Sequence, residues 1–157
     1  MVPRPALLAF LLRAKRRTYP VLGDAASVTP LLPGSHQLEY REDPLLYRDV
    51  YFGLRSFVGQ ETVSEGTTPV WAMAYSGGVL APAEVRDDVL AIYAFLRSAL
   101  MRVPDEAPYR GPRRFASGDY TYVNQWEKEA EAFSGLETIT RRSAPVYRLR
   151  YAGRPIA

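Results

Sequence analysis

The sequence FVGQETVSEGTTPVWAMAYSG (residues 57–77) recurs without a gap as FSGLETITRRSAPVYRLRYAG (residues 133–153), at an offset of 76 residues. The copies share phenylalanine, glycine, glutamate, threonine, proline, valine, tyrosine and a second glycine at equivalent positions. This identity at fixed spacing predicts an internal duplication. A solenoid needs about three or more stacked units, so two copies predict a pseudo-symmetric pair instead.

The similarity between the halves extends upstream of the repeated stretch. Residues 47–50 resemble residues 120–123, and residues 9–11 resemble residues 94–96. Each half is therefore predicted to place a helix before its strands.

The length of 157 residues is typical of one domain, so we predict a single domain over residues 1–157. Within it we assign pseudo-repeat 1 to residues 5–80 and pseudo-repeat 2 to residues 82–157.

Two segments have the periodicity of amphipathic helices. The first helix is predicted over residues 5–17 and the second over residues 82–103, before Pro104. Apolar residues of the second fall three and four positions apart, namely Val85, Val89, Ile92, Leu96, Ala99 and Val103. Residues 19–44 and 104–118 are predicted to be irregular connections.

The remaining segments alternate with period two, which predicts three strands in each half. In residues 145–151, Tyr147, Leu149 and Tyr151 share one side of the strand, and we assign that side to a buried or ligand-facing surface. The predicted fold class is α+β, with internally duplicated α-β-β-β units. They form one mostly antiparallel sheet with two helices on one face. A pocket is expected on the face that the helices leave open, at the seam between the repeats.

Tyrosine and glutamate dominate the candidate ligand-binding residues. These are Tyr51, Glu61, Trp71, Tyr75, Tyr122, Glu137, Tyr147 and Tyr151. A sheet core accounts for many of the aromatic residues, but buried tyrosine hydroxyls need hydrogen-bond partners, which phenylalanine would not. A tyrosine-lined cavity with one carboxylate would suit a flat or cationic small molecule.

Glu61 and Glu137 occupy the same place in the two repeats, and two interpretations remain open. Each pairs with an arginine or a backbone amide at its hairpin, or one is a buried anion that awaits a cationic ligand. The face on which Glu61 lies depends on the register of its hairpin. Pairing of Glu65 with Thr68 would turn Glu61 away from the aromatic residues, and pairing of Ser64 with Thr68 would turn it toward them.

Composition excludes several kinds of site. The chain has no cysteine, which rules out a disulfide or a thiol nucleophile and favours the cytoplasm. No phosphate-binding glycine loop or metal-ligand spacing is present, so we predict no cofactor, no metal and no catalytic residue. The only histidine, His36, is assigned to a solvated loop. No membrane span is expected, and a net charge of +3 suggests no more than weak electrostatic contact with nucleic acid.

The chain resembles a prokaryotic family catalogued as a domain of unknown function, DUF5680. The similarity is carried by residues 28–35, 37–40, 47–53 and 59–61, and then by PVW at 69–71, GG at 77–78 and RGPR at 110–113. Some members are joined to a helix-turn-helix domain, which implies an effector-binding role and transfers no functional residue. A weaker architectural resemblance is to gyrase-inhibitor-like effector-binding domains, in which two such repeats hold small molecules beside a buried glutamate.

The sequence therefore favours a non-enzymatic small-molecule-binding or effector-sensing domain, with a tyrosine-rich site on the sheet face at the repeat seam. Two alternatives stay open: a protein-interaction module that uses the same face, and an enzyme of unfamiliar type that uses Glu61 or Glu137. The oligomeric state is left undetermined by the sequence.

Overall fold

The computed structural model describes residues 2–19, 27–80 and 86–156, which form two helices and eight strands. In chain order these are α1 (Arg4–Arg17), β1 (His36–Glu42), β2 (Leu45–Gly53), β3 (Ser56–Glu65), β4 (Thr68–Val79), α2 (Arg86–Leu100), β5 (Arg114–Ser117), β6 (Tyr120–Glu129), β7 (Ala132–Arg141) and β8 (Ala144–Pro155). The predicted α+β class is confirmed.

All eight strands belong to one antiparallel sheet, in the order β1-β2-β3-β4-β8-β7-β6-β5. Each half contributes four strands and not the predicted three. The extra strands, β1 and β5, form the two edges of the sheet and lie in stretches that we expected to be irregular. The charged side chains of β1 interrupt the alternation that marks a half-buried strand. β5 has only four residues, which is too short to show that alternation.

The two halves meet at β4 and β8 around a local twofold axis. Tyr75 pairs with Tyr151 across these strands, and the two tyrosines are themselves equivalent in the repeat. The β3–β4 and β7–β8 hairpins also share one register, because Glu61 pairs with Met73 and Glu137 pairs with Leu149. The duplicated sequence thus forms duplicated geometry.

The structure corrects the upstream alignment of the two halves. Tyr47 pairs with Val63, and its counterpart opposite Ile139 is Tyr122 and not Tyr120. Between the equivalent pairs Gly53–Phe57 and Lys128–Phe133 the chain has three residues in the first half and four in the second, so the strands are offset by one residue and not by three. Because tyrosine stands at both 120 and 122, the sequence alone allowed the wrong alignment.

Both helices pack on the same face of the sheet. The buried side of α1 includes Phe10, Leu11 and Ala14, and that of α2 includes Leu96 and Ala99. α1 agrees with its predicted bounds to within one residue. α2 ends at Leu100, and backbone hydrogen bonds between residues three apart continue the turn to residue 103. The predicted start of this helix, with Val85, lies outside the described residues.

The aromatic side of the central strands faces these helices. Tyr147, Leu149 and Tyr151 are buried as predicted, whereas Arg148 and Arg150 are exposed on the opposite face. The candidate tyrosines therefore lie between the helices and the sheet. The expectation that these tyrosines line the face left open by the helices is wrong, because the alternation of apolar residues that places them on one side of the sheet also buries that side in the core.

Candidate functional site

A cavity of about 530 Å³ lies between the helices and the strands of the first half. Its aromatic wall is formed by Tyr47 and Tyr51 of β2, Phe57 of β3, Tyr75 of β4 and Tyr93 of α2. The four strand residues among them share one face of the sheet, because residues an even number of positions apart on a strand point the same way, and Tyr93 packs against Phe57 from the helix. The volume is within the range of small-molecule sites.

Glu61 points into this cavity, and the strand pairing that places it there is neither of the two pairings considered from the sequence. Glu65 pairs with Thr68 around the turn, which by itself would turn Glu61 away from the aromatic residues. A β-bulge after Val63 then shifts the register by one residue, so that Glu61 pairs with Met73 and points toward the helices.

The second repeat contains the same bulge, after Ile139, and Glu137 therefore also points inward. Its turn lacks the glycine of the first repeat. Arg142 and Ser143 adopt positive φ angles of 48° and 70° instead, and Arg142 forms an ion pair with Asp119 at 2.8 Å. The turn conformation thus follows the register of the hairpin even where no glycine favours it.

Glu61 and Glu137 are buried, and each has a cationic partner. Lys15 of α1 donates a hydrogen bond to Glu61, and Arg110 donates one to Glu137 at 2.8 Å. Arg110 also lies 4.0 Å from Glu61, so that it bridges the two equivalent glutamates. The pairing interpretation is therefore the one observed, although the cations come from α1 and from the connection before β5, not from the hairpins.

The tyrosine hydroxyls of the site bind the acidic and amide side chains beside them, which explains why tyrosine and not phenylalanine occupies these positions. Tyr75 donates to Asp49 at 2.6 Å, Tyr151 donates to Asn124 at 2.9 Å, and Tyr122 donates to Glu137. The hydroxyl of Tyr147 is buried and has no hydrogen-bond partner. Three of the eleven tyrosines therefore donate hydrogen bonds within one buried polar network.

Asp49 is the acidic group of this network without a partner cation in direct contact. The pKa of its carboxyl is raised to about 7, because burial and the nearby charge of Glu61 raise it more than the Tyr75 hydrogen bond, Lys15 and Arg110 lower it. Lys15 and Arg110 already balance Glu61 and Glu137, so an ionised Asp49 would leave the cluster with excess negative charge. The carboxyl can consequently act as a donor or as an acceptor near neutral pH.

In the second half, backbone fills the position that corresponds to the cavity. The connection before β5 passes over β6, where the amide N–H of Gly111 donates to the Tyr122 hydroxyl at 3.1 Å. The Asn124 side-chain amide donates to the carbonyl of Gly111 at 2.9 Å. The approach is close enough that a Cβ on Gly111 would lie 2.6 Å from the Tyr122 oxygen.

We expect Gly111→Ala to destabilise the protein by about 1–3 kcal/mol, the usual cost of overpacking a buried contact. The added methyl group would displace the connection from Tyr122 and weaken both hydrogen bonds. Urea unfolding measured against the parent checks this. An unchanged midpoint would show that the connection does not pack against Tyr122 at this distance.

The candidate residues divide between the cavity and its surroundings. Tyr51, Glu61 and Tyr75 line the cavity. Tyr122, Glu137 and Tyr151 belong to the equivalent, filled position in the second half. Trp71 is a core residue, stacked on Phe133 with ring centroids 6.0 Å apart, and Tyr147 is fully buried in the core. His36 begins β1 and stacks on Tyr51, so its assignment to a loop is wrong.

Sequence reasoning missed Lys15, Asp49 and Arg110. The positions of Lys15 and Asp49 in the sequence did indicate that their side chains point inward. Lys15 follows Leu11 by four residues and therefore belongs to the apolar face of α1, apart from the arginines that flank it in the chain. Asp49 lies two residues from Tyr47 and from Tyr51 on one strand. Arg110 lies in a connection, where no periodicity indicates which way a side chain points.

The chain belongs to the family described as a domain of unknown function (DUF5680), whose model matches residues 49–156. The resemblance inferred from the sequence is thereby confirmed, and the match begins at the cavity residue Asp49. No curated protein and no solved structure matched the chain significantly.

Two further properties concern the described residues alone. No helix among them is long and apolar enough to cross a membrane. They also contain no group of three or more histidine, aspartate or glutamate side chains arranged to hold a metal ion.

Proposed function

We propose that the protein is a non-enzymatic, effector-sensing domain that binds a small molecule in the cavity between its helices and the first half of its sheet. The observation that carries the proposal is the difference between two equivalent positions. In the second half, Tyr122 and Asn124 hold a backbone segment, whereas their counterparts Tyr47 and Asp49 line an open cavity. Polar groups that converge on such a space are typical of ligand sites.

The mouth of the cavity supports the same proposal. Leu54, which follows β2, and Leu90 of α2 line the cavity and remain 70% and 54% exposed. Exposed apolar side chains at the rim of a concave site favour entry of an apolar ligand. A flat apolar patch would instead have favoured a protein partner.

The charges around the cavity favour a flat neutral or anionic ligand over a cationic one. Lys15 and Arg110 are balanced by Glu61 and Glu137, and Arg97 adds a further positive charge to the lining of the cavity. A cationic ligand would therefore have to compete with Lys15 and Arg110 for the carboxylate. The aromatic wall provides the stacking surface for a planar ring system.

Three naphthyl compounds that differ in charge test this proposal: naphthamide, naphthoate and naphthylmethylammonium. A contribution of about 0.3 kcal/mol per non-hydrogen atom gives such compounds a dissociation constant of about 1 mM or tighter in a formed site. We expect naphthamide and naphthoate to bind in this range, measured by protein NMR titration, and the ammonium compound to bind at least about tenfold more weakly.

The matched control uses two exposed leucines. Leu90→Trp should narrow the mouth and weaken naphthamide binding by about tenfold or more, whereas Leu31→Trp, at a 67% exposed leucine that does not line the cavity, should leave binding unchanged. Absence of binding by all three compounds would refute the proposed function. Equal effects of the two tryptophan variants would place any observed binding elsewhere on the protein.

A further inference from the structure

One cation of the cavity lining has no acidic partner among the residues that the structure describes. Lys15 and Arg110 are each paired with a glutamate. Arg97 of α2 is half-buried and lines the same cavity, but it forms no ion pair with any described residue. A cation in this position favours an anionic ligand, because the protein around it screens the attraction less than bulk water does.

Two further hydrogen-bond donors lie beside Arg97. The Nε–H of Arg110 is buried and has no acceptor in the described part of the chain, although another nitrogen of the same guanidinium binds Glu137. Burial raises the pKa of the Tyr19 hydroxyl, and the nearby guanidinium groups of Arg97 and Arg110 oppose that rise. The two arginines and Tyr19 all line the cavity. Donors without acceptors are unfavourable in a buried site, and the oxygen atoms of an anionic ligand would satisfy them.

The aromatic wall of the cavity provides flat ring surface. Tyr93 donates its hydroxyl proton to the backbone carbonyl of Leu54, and Tyr75 donates to Asp49. These two hydroxyl protons are therefore already used within the protein, and the neighbouring Phe57 has no hydroxyl. The rings remain available for stacking. The wall accordingly suits the ring of a ligand, whereas its charged group is left to the arginines.

Helix α2 arranges the mouth, the wall and the cation of the cavity in one line. Leu90, Tyr93 and Arg97 are three and four residues apart, so they share one face of the helix, and all three line the cavity. An α-helix rises 1.5 Å per residue, so the position of Arg97 is about 10 Å along the axis from that of Leu90 at the mouth. A ligand that enters past Leu90 therefore passes the ring of Tyr93 before it reaches Arg97.

We infer that the cavity binds an aromatic carboxylic acid, whose ring lies against the aromatic wall and whose carboxylate is bound by Arg97 beside Tyr19 and Arg110. A guanidinium group can donate two parallel hydrogen bonds to one carboxylate, which fixes the orientation of the ligand. A single unbalanced positive charge matches a carboxylate better than a doubly charged phosphate, which would bring excess negative charge into the site. This inference rests on the proposed function and adds to it the chemical class of the ligand and the residue that selects it.

The test compares naphthoate with naphthamide, which has the same shape and no charge. Titrations followed by protein NMR are run at about pH 5.5, where the naphthoate carboxylate is ionised and Asp49, with a pKa of about 7, is largely protonated. We expect naphthoate to bind the parent protein at least about tenfold more tightly than naphthamide, because hydrogen bonds between charged groups are the stronger ones. Arg97→Gln should weaken naphthoate binding by about tenfold or more and change naphthamide binding by less than about threefold.

Arg102→Gln supplies the matched control, because it removes the same charge from an exposed arginine outside the cavity lining, five residues further along the chain. This variant should keep the preference for naphthoate. Protein NMR spectra of each variant verify that it is folded. If the two compounds bind the parent equally, if Arg97→Gln keeps the preference, or if Arg102→Gln loses it to the same extent, the carboxylate assignment is wrong and the proposed binding function stands. If neither compound binds, both are wrong.

Discussion

Arg110→Met is expected to destabilise the protein by about 3–5 kcal/mol, the cost of leaving a buried charge without its partner. Arg110 bonds Glu137 at 2.8 Å and lies 4.0 Å from Glu61, and the Glu137 side chain is completely inaccessible to solvent. Methionine has a similar volume and keeps the packing, so the decrease in stability arises mainly from removal of the charge. Urea unfolding measures it, with an unchanged m value to verify that the unfolding reaction is the same.

A double variant separates this charge effect from a loss of packing. In Arg110→Met with Glu137→Gln, the uncompensated carboxylate is gone, so the double variant should be more stable than Arg110→Met alone. Arg114→Met, at an exposed arginine nearby, should change stability by less than about 0.5 kcal/mol. Strictly additive effects of the two buried substitutions would show that Arg110 and Glu137 are not coupled.

Asp49→Asn is expected to stabilise the protein by about 2–4 kcal/mol at about pH 8 and to have little effect at about pH 4. The folded state raises the pKa of Asp49 from 3.8 to about 7, so between these values the native protein binds a proton that the unfolded chain has released. Stability of the parent therefore falls as the pH rises through this window and becomes level above it. Asparagine cannot ionise and avoids the loss.

The difference in unfolding free energy between Asp49→Asn and the parent, measured across this window, isolates the contribution of Asp49 from those of the other acids. The reciprocal substitution provides the control. Asn124→Asp removes the donor to the Gly111 carbonyl and places a carboxylate beside it, so this variant should be destabilised, most strongly at high pH. A constant difference between Asp49→Asn and the parent at all pH values would contradict the elevated pKa.

The site was partly predictable from its individual residues. The repeat identified Glu61 and Glu137 as equivalent, and the alternation of β8 identified the buried tyrosines, because both are periodic features of the chain. The partners of the glutamates were not predictable in the same way. Lys15 and Arg110 lie 46 and 27 residues from the carboxylates that they bind, and local periodicity carries no information about such contacts.

The duplication, the α+β class and the inward face of β8 were predictable from the sequence, since each follows from spacing along the chain. The face on which the glutamates lie depends on tertiary structure, because a single bulge in each hairpin reverses the direction of the side chains before it. Tertiary structure also determines that the second half fills this position with the backbone of Gly111, while the first half keeps a cavity beside Tyr47 and Asp49. That difference depends on how the connections pack over the sheet, which the sequence of the repeated hairpins does not encode.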